Sequence, residues 1–323
     1  MVNKIYDCII IDVNNLFMRN HYVYSDKKYT VKAGKFSVHS GGILGSLISL
    51  EKLKREKLKD GGKFIFLADN ATSKIRTRKD IDPDYKSNRI KQKESFYRNI
   101  DFLIRILHNY DDVSKVVQIN SYEADDLVPV SIDIELEKNK ESKILMVSSD
   151  MDWARCINYR GACVDWFDGK KTVSKNDFYE KFGFNPSLSS IIIYKSFHGD
   201  ESDFIPNPAK GLPKKYLLSF TEEKSVKHIL DNIHLYRIDD KWKEVIIRNR
   251  GRILINQELV SFTPVELDKF LFHTTNSTFN GKVLKNLFDS LGVAYTIYPE
   301  LSKFVQSSKV KKDWFEPVKG KRI

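Results

Sequence analysis

Short apolar segments that are followed by an acidic residue recur along the first half of the sequence. Residues that favour β-strands dominate four such segments, at positions 5–11, 63–68, 115–119 and 142–148. Asp12 and Asp69 directly follow two of them, and Asp150 lies close behind another. Segments with helical periodicity separate the strands, as in parallel sheets with right-handed crossover connections. The pattern therefore predicts an α/β fold in which helices flank a central, mostly parallel sheet.

Acidic side chains gather at the predicted carboxyl ends of these strands, where parallel sheets place their ligands. Further acids open the helix after the third strand and occupy a loop in the second half. The candidates are Asp12, Asp69, Glu123, Asp125, Asp126, Asp150, Asp152, Asp200 and Asp203. The last two can reach the same edge if the helical second half folds back. Each acid alone is also typical of a helix N-terminus or a turn. The prediction of a ligand site therefore depends on the convergence of these acids.

Convergence of so many carboxylates requires compensating charge. Two like charges about 4 Å apart repel by about 4 kcal/mol at an effective dielectric constant of roughly 20. Protons or cations must therefore neutralise the cluster, and we expect it to be tolerated only because divalent ions bind among the acids. Oxygen ligands without histidine or cysteine select Mg²⁺ or Mn²⁺. Two such ions about 4 Å apart promote in-line displacement at a phosphodiester.

The overall charge fits a polyanionic substrate. Lys and Arg number 54 and Asp and Glu number 43, which gives a net charge of +11. This surplus favours nucleic acid, although a basic surface kept for solubility is an alternative. No apolar run approaches the ~18 residues of a membrane span, and the N-terminus lacks a signal-peptide segment. We expect a cytoplasmic protein that does not bind membranes.

The cysteines and histidines do not form a metal-binding pattern. Cys8, Cys156 and Cys163 lie far apart in apolar surroundings. We expect them to be buried free thiols in a reducing compartment. The histidines lack paired spacing, so a zinc site is not expected. The acids lack a calcium-loop register, and Val13-Asn14 after Asp12 disfavours an aspartyl phosphatase.

A long polar insertion interrupts the alternation of strands and helices at about residues 71–95. It has almost no apolar periodicity, and it combines several Lys and Arg residues with one aromatic residue, Tyr85. Such an insertion is either a mobile loop or a functional lid or arch over a site. Its composition suits contact with phosphates and stacking on bases, so we interpret it as an arch that binds nucleic acid.

The second half of the chain is predominantly helical. Ser174 and Asp177 form a capping box, and Asn185-Pro186 is predicted to begin the next helix. The composition divides the chain into three predicted regions. They are an α/β catalytic domain at 1–185, a helical region at 186–300 and a basic, mobile tail at 301–323.

Six short motifs occur in an order that is found in one known family. They are residues 11–15 (IDVNN), 67–70 (LADN), 84–89 (DYKSNR), 122–126 (YEADD), 148–152 (SSDMD) and 199–203 (GDESD). With them the sequence resembles the metal-dependent 5′-nucleases, which include flap endonucleases, the 5′-nuclease domain of bacterial DNA polymerase I and phage enzymes. The resemblance covers most of residues 1–215. It is strongest to the ribonucleases H of T-even phages, which are 5′-to-3′ exonucleases.

The resemblance implies a PIN-like α/β domain with a helical arch insertion and a smaller helical C-terminal region, so that residues 186–300 would be a duplex-binding region. The implied first metal neighbourhood comprises Asp12, Asp69, Glu123, Asp125 and Asp126. The implied second one comprises Asp150, Asp152, Asp200 and Asp203, with Asp150 near both. In the arch motif Lys86 would assist at the scissile phosphate and Arg89 would clamp it. Tyr85 of the same motif is a further candidate for nucleic-acid contact, and Arg76 and Arg78 are weaker candidates on the same face.

One segment departs from the family pattern. The family usually has a glycine-rich turn that holds a monovalent cation and a duplex phosphate, whereas residues 205–215 contain one glycine and three prolines. Prolines lack amide donors, which puts a potassium (K⁺) site in doubt. Lys210, Lys214 and Lys215 are expected to hold duplex phosphates by charge instead, with strongly salt-dependent binding.

The implied activity is that of a Mg²⁺-dependent 5′-3′ exonuclease and flap endonuclease with two ions, which Mn²⁺ can replace. Its substrates would be 5′ ends of RNA·DNA or DNA duplexes, as in primer removal during phage-type replication. We expect a monomer whose partners include a single-strand-binding protein or a sliding clamp. One alternative is a catalytically silent, structure-specific DNA-binding protein with the same fold. Another is a ribonuclease of the related PIN class, although its short form lacks the arch and the helical second half.

Overall fold

The computed structural model describes residues 4–26, 29–33, 36–69, 76–293 and 297–307. Within them the strands are β1 (Tyr6–Asp12), β2 (Thr30–Ala33), β3 (Phe36–His39), β4 (Leu58–Leu67), β5 (Lys115–Val117), β6 (Ile144–Val147), β7 (Val164–Phe167), β8 (Thr172–Val173) and β9 (Thr274–Asn276). The α-helices there are α1 (Val13–Val23), α2 (Gly41–Glu56), α3 (Arg76–Ile81), α4 (Glu94–His108), α5 (Val128–Lys138), α6 (Lys175–Phe182), α7 (Leu188–His198), α8 (Lys214–Phe220), α9 (Val226–Asp231), α10 (Asp240–Arg248), α11 (Arg250–Val260), α12 (Leu267–Phe272), α13 (Gly281–Leu291) and α14 (Pro299–Ser307). Short 3₁₀ helices lie at Ala124–Leu127, Met151–Cys156, Tyr159–Gly161, Glu201–Asp203 and Ile233–Leu235.

The chain forms two compact units, each built from separate segments. Unit 1 comprises Met1–Ala68, Gln92–Gln118 and His273–Ile323. Unit 2 comprises Asp69–Lys91 and Ile119–Phe272. The boundaries drawn from the sequence at 185 and 300 remain predictions of functional regions. Of the predicted tail, residues 301–307 belong to α14 and residues 308–323 lie outside the described part of the chain.

Unit 1 contains β1, β4, β5 and β9 in that order across a sheet. β1 is parallel to β4 and β4 is parallel to β5, whereas β9 is antiparallel to β5. The run Ile9-Ile10-Ile11 is fully buried, which is typical of a strand in a parallel sheet covered on both faces. The predicted strands at β1, β4 and β5 are therefore confirmed. β9 was not predicted because Thr274–Asn276 is short and polar.

Unit 2 contains β6, β7 and β8 together with most of the helices. β6 is parallel to β7, and the short strand β8 is antiparallel to β7. Helices α7 to α11 surround an apolar core that includes Phe197, Phe220, Ile229 and Ile253. The predicted α/β class with mostly parallel strands and a helical C-terminal region is thus confirmed. In the described part of the chain, no helix combines the length and the apolar character that crossing a membrane requires.

Two local predictions differ from the structure, namely the start of α7 and the burial of Cys163. The capping box of Ser174 and Asp177 begins α6 as predicted. The next helix, α7, begins after Ser187, whose hydroxyl accepts the N–H of Ser190, rather than at Asn185-Pro186. The prediction of three buried thiols is also wrong for Cys163, which is exposed, whereas Cys8 and Cys156 are buried.

Gly199 ends α7 and leads directly into the loop that carries Asp200 and Asp203. Its φ is +78°, and a Cβ there would lie 2.6 Å from the carbonyl oxygen of Ile205. Gly161 has a nearly identical φ of +79°, but a Cβ there would meet nothing within 4 Å. Alanine substitutions at the two glycines therefore separate the cost of a left-handed backbone from the cost of a steric collision.

We expect Gly161→Ala to lower the free energy of unfolding by about 1–2 kcal/mol, which is the cost of the left-handed conformation. Gly199→Ala should lose a further ~1–3 kcal/mol, because the methyl group collides with backbone atoms that cannot rotate away. Urea unfolding of both variants measures the difference. Equal losses would show that the 199–207 loop relaxes freely around the added methyl group.

Candidate metal centre

A first group of carboxylates joins the acids that follow β5 and β6 in the chain. Asp125, Asp150 and Asp152 each offer one oxygen, and these oxygens all lie within 4.8 Å of one another. Asp125 belongs to the 3₁₀ helix Ala124–Leu127, and the indole Nε1 of Trp153 donates to its Oδ1. Asp150 caps the 3₁₀ helix Met151–Cys156, because its Oδ1 accepts the N–H of Asp152 at 2.9 Å. Local capping thus aims these side chains at one point.

A second group shares Asp152 with the first. Oxygens of Asp152, Asp200 and Asp203 also lie within 4.8 Å of one another. Asp200 caps the 3₁₀ helix Glu201–Asp203, and its Oδ1 accepts from the Ser202 hydroxyl at 2.6 Å. The helical second half of unit 2 therefore brings its two predicted acids to Asp152, as the sequence suggested. Asp152 is the link between the groups.

Two basic side chains form ion pairs with acids of the second group. Nζ of Lys195 lies 2.6 Å from an oxygen of Asp152 and 2.6 Å from an oxygen of Asp200. The guanidinium of Arg155 also donates to Asp152 and, at 2.7 Å, to the carbonyl of Val260. Burial opposes ionisation of Asp152, but Arg155 and Lys195 outweigh it and lower the pKa of Asp152. Lys195 likewise outweighs burial at Asp200 and lowers its pKa.

Asp150 has a different electrostatic environment. Burial and the neighbouring Asp152 raise the pKa of Asp150 to about 6, against the opposing influence of Lys195. Among the described residues, no ion pair involves Asp150 within 4 Å. Perturbed carboxylates of this kind are typical of functional sites. The first group therefore holds a carboxylate that a cation would stabilise.

Arg78 from α3 binds two further predicted metal ligands. Its guanidinium donates to Glu123 at 2.7 Å and to Asp126 at 2.7 Å. Asp126 also accepts the N–H groups of Glu123 and Thr263, which closes the capping box of the 3₁₀ helix. Arg78 is only 5% exposed, so its nucleic-acid contact remains a prediction that this conformation does not display. The side chain of Arg76 lies outside the described part of the chain.

The arch motif contacts the acids directly. Lys86 donates to Glu123 at 2.7 Å, Arg89 donates to Asp203 at 2.6 Å, and the Tyr85 hydroxyl donates to Asp203 at 3.1 Å. Burial favours neutral Glu123, but Lys86 and Arg78 outweigh it and lower the pKa of Glu123. Lys86 adopts a left-handed backbone with φ of 56°, the kind of local strain that clusters at functional sites. Tyr85 is buried, so base stacking by Tyr85 stays a prediction.

The remaining predicted residues lie in different surroundings. Asp69 accepts the N–H of Ala124 at 2.7 Å, and burial together with Glu123 raises the pKa of Asp69. Asp12 belongs to unit 1, where it ends β1 and caps α1 by accepting the N–H of Asn15. Exposed side chains in unit 2 include those of Lys210, Lys214 and Lys215. Their duplex contacts and the doubtful potassium site remain predictions.

One electrostatic expectation from the sequence is wrong. We expected the acids to be tolerated only because divalent ions bind among them. Instead, basic side chains of the chain itself compensate much of the charge: Arg78, Lys86, Arg89, Arg155 and Lys195. We did not predict the roles of Arg155 and Lys195 from the sequence. The available signal was a lysine within the apolar run of α7, since lysines are almost never fully buried unless they are paired.

The donor set nevertheless fits hard divalent cations. Each group offers three carboxylate oxygens and no sulfur or imidazole ligand, which suits Mg²⁺ or Mn²⁺. The first group fits best, because Asp150 makes no ion pair with the part of the chain that the structure describes. The second group also suits a divalent cation, but Lys195 already binds two of its three acids.

Comparison with protein families gives the class of protein. The family model of the 5′-3′ exonuclease N-terminal, resolvase-like domain matches residues 7–183. This match covers more than half of the 323 residues, and the chain therefore belongs to the 5′-3′ exonuclease family. The predicted membership in the 5′-nucleases is confirmed. No curated protein sequence matches the chain significantly.

Solved structures of related enzymes share the fold. The bacteriophage T5 5′-exonuclease with bound divalent zinc ions is 18% identical, covers 93% of this chain and 98% of its own, and has a TM-score of 0.58. A bacteriophage T5 flap endonuclease complexed with DNA and metal ions is 18% identical, covers 92% and 99%, and has a TM-score of 0.57. At this identity the likeness confirms the 5′-nuclease-like fold.

The raised pKa of Asp150 predicts a pH-dependent effect of Asp150→Asn in EDTA. Because ionisation is disfavoured in the folded state, wild-type protein loses stability as the pH rises from about 4 to about 6. Asparagine stays neutral at every pH. Above pH 7 the free energy of unfolding of the variant should therefore exceed that of wild type by on the order of 1–3 kcal/mol. Below pH 4 the two should unfold alike.

Thermal or urea unfolding between pH 4 and pH 8 measures this difference. Asp101→Asn, at an exposed position of α4, is the matched control and should follow wild type at every pH. A pH-independent difference in stability, or an Asp150→Asn variant less stable than wild type at pH 8, would contradict the raised pKa of Asp150.

Proposed function

We propose that this protein is a Mg²⁺-dependent 5′-3′ exonuclease and flap endonuclease that hydrolyses phosphodiesters at the 5′ ends of RNA·DNA and DNA duplexes. One observation carries the proposal. Two carboxylate triplets share Asp152, and the arch residues Arg89 and Lys86 lie 2.6 Å and 3.7 Å from Asp203 of the second triplet. Acids that can bind two cations, next to basic groups that can bind phosphate, suit phosphodiester hydrolysis. Family membership supports the same activity.

Asp125, Asp150 and Asp152 would hold one ion, and Asp152, Asp200 and Asp203 the other. As the family resemblance implies, Asp69 and Glu123 would join the first group, and the metal role implied for Asp12 stays a prediction. Divalent ions bound here would polarise the phosphodiester and lower the pKa of the attacking water. We expect Mn²⁺ to replace Mg²⁺, because both prefer carboxylate oxygens.

The basic residues of unit 2 would bind the substrate. Lys86 and Arg89 reach the acids from the arch, so a phosphate held near those acids lies within range of both cations. Fixed positive charge placed where negative charge develops stabilises the transition state of phosphoryl transfer. Exposed Lys210, Lys214 and Lys215 would hold duplex phosphates, which makes duplex binding sensitive to salt.

We infer that the substrate is a replication intermediate. A 5′-3′ exonuclease that accepts RNA·DNA ends removes primers, as in phage-type replication in the host cytoplasm. A single-strand-binding protein or a sliding clamp would be the matching partner, and the chain would act as a monomer. The T5 flap endonuclease in complex with DNA and metal ions supports nucleic acid as the substrate class.

A second candidate function follows from the resident cations. Because Lys195, Arg155 and Arg78 compensate several buried acids, the site does not depend on divalent ions for its charge balance. A catalytically silent, structure-specific DNA-binding protein could therefore retain these acids. Divalent-ion-dependent cleavage separates the two candidates.

The test is cleavage of 5′-labelled primer, nick and flap substrates in Mg²⁺, Mn²⁺ or EDTA. Wild type should release short 5′ fragments with either ion and none in EDTA. Asp150→Asn should lose at least ~100-fold in rate, because it removes a carboxylate from the centre that supplies several kcal/mol. Lys86→Ala should lose ~100-fold in kcat while its duplex affinity changes less than ~3-fold.

Asp101→Asn serves again as the control and should cleave like wild type. Electrophoretic mobility shifts of the same substrates in Ca²⁺ report binding separately from cleavage. Duplex binding without cleavage in Mg²⁺ and Mn²⁺ would favour the silent DNA-binding protein. Equal loss of binding and cleavage in Asp150→Asn would contradict its role as a metal ligand.

A further inference from the structure

Lys195 bridges two acids of the second carboxylate group. It lies near the end of α7, five residues before Asp200, and is only 4% exposed. Its Nζ is 2.6 Å from Asp152 Oδ1 and 2.6 Å from Asp200 Oδ2. A single ammonium group therefore holds two of the three acids that would bind the second ion.

The surroundings of Lys195 keep the ammonium among these acids. Its neighbours on α7 include Ile191, Ile193 and Phe197, all of which are buried. A buried ammonium without a carboxylate partner is strongly disfavoured, so the pairing with Asp152 and Asp200 accounts for its placement. The position also lies in the last turn of α7, where the helix dipole favours a cation.

The two carboxylate groups differ in how their charge is compensated. Every acid of the second group has a basic partner: Asp152 has Lys195 and Arg155, Asp200 has Lys195, and Asp203 has Arg89. In the first group Asp150 makes no ion pair with any described residue. A divalent ion that approaches the second group therefore meets acids that already bind cations.

We propose that Lys195 is a resident counter-cation of the second group, which a divalent ion must displace from Asp152 and Asp200 before it binds there. The ammonium and the ion compete for the same oxygens and repel each other at this distance. The inference rests on the proposed function, because it concerns the ion occupancy of the same site. Its consequence is that the second ion binds more weakly than the first.

The chemistry of lysine suits this role. An ammonium is a compact charge on a flexible stem of four carbons, so it can leave the acids without movement of the α7 backbone. Arg155 is fixed more firmly, because its guanidinium also donates to the Val260 carbonyl and lies 4.1 Å from the ring centre of Phe262. Lys195 is therefore the cation that yields to the second ion, while Arg155 keeps Asp152 in place.

The test is isothermal titration calorimetry of the full chain with Mn²⁺. Wild type should bind one ion tightly and a second more weakly. Lys195→Met keeps the unbranched side chain as far as Cε but removes the charged Nζ, and it should tighten the second site by ~10-fold or more. Lys195→Arg retains the charge and should leave the second site as weak as in wild type. Lys227→Met, at an exposed position of α9, should change neither site.

Thermal unfolding gives a readout that does not depend on activity. Without metal, Lys195→Met should unfold at a lower temperature than wild type, because Asp152 and Asp200 lose a buried partner. Saturating Mn²⁺ should then raise its melting temperature by more than it raises that of wild type. A smaller rise in the variant than in wild type would overturn the proposal.

A measurement on wild type covers the case in which Lys195→Met fails to fold. The ¹⁵N resonance of the Lys195 Nζ should shift more on addition of the second equivalent of Mg²⁺ than of the first, because only the second ion displaces the ammonium from both Asp152 and Asp200. No shift, despite binding of two ions, would overturn the proposal, as would a Lys195→Met variant that binds the second ion no more tightly. If wild type binds no Mn²⁺, the proposed function itself fails. That outcome differs from one in which two ions bind and Lys195 has no effect, which overturns only the role of Lys195.

Discussion

Ion pairing between buried carboxylates and basic side chains is the interaction on which the acid-rich site depends. Moving a carboxylate out of water costs several kcal/mol, and only a close cation and further hydrogen bonds can offset that loss. Lys195 and Arg155 provide this at Asp152, and Arg78 and Lys86 provide it at Glu123. The acids are therefore held in a convergent arrangement by the chain itself, before any other ligand binds.

The same pairing connects the arch to the acids. Arg89 binds Asp203, and the backbone N–H of Lys86 donates to the carbonyl of Asp203 at 2.8 Å. Groups that compensate carboxylates in this conformation are thus the ones proposed to compensate phosphate during catalysis. Exchange of a carboxylate partner for a phosphate partner requires no new cation in the site. In this account, the arch motif serves structure and substrate binding with one set of side chains.

Sequence reasoning located the acids because strand geometry is local and periodic. An apolar run followed by Asp12, Asp69 or Asp150 is readable without tertiary contacts, and the parallel order predicts the edge where such acids fall. Arg155 was missed although its partner Asp152 lies only three residues earlier, in the same 3₁₀ helix. Lys195 was missed because its bridge between Asp152 and Asp200 depends on how α7 packs, which no sequence spacing encodes. The Ser187 cap was missed although it is local, because Asn185-Pro186 offered an earlier start for the helix. The polar strand β9 and the exposure of Cys163 were missed for the same reason as Lys195. Each is set by tertiary surroundings that local propensity does not describe.

The central claim is that Asp152 links two carboxylate groups that bind divalent ions. Anomalous diffraction from a crystal soaked in Mn²⁺ tests it directly. We expect two peaks, one among Asp125, Asp150 and Asp152 and one among Asp152, Asp200 and Asp203, with the second appearing at higher Mn²⁺ concentration. A crystal in which saturating Mn²⁺ gives no peak at either group, while Lys195 and Arg155 still hold Asp152, would contradict it.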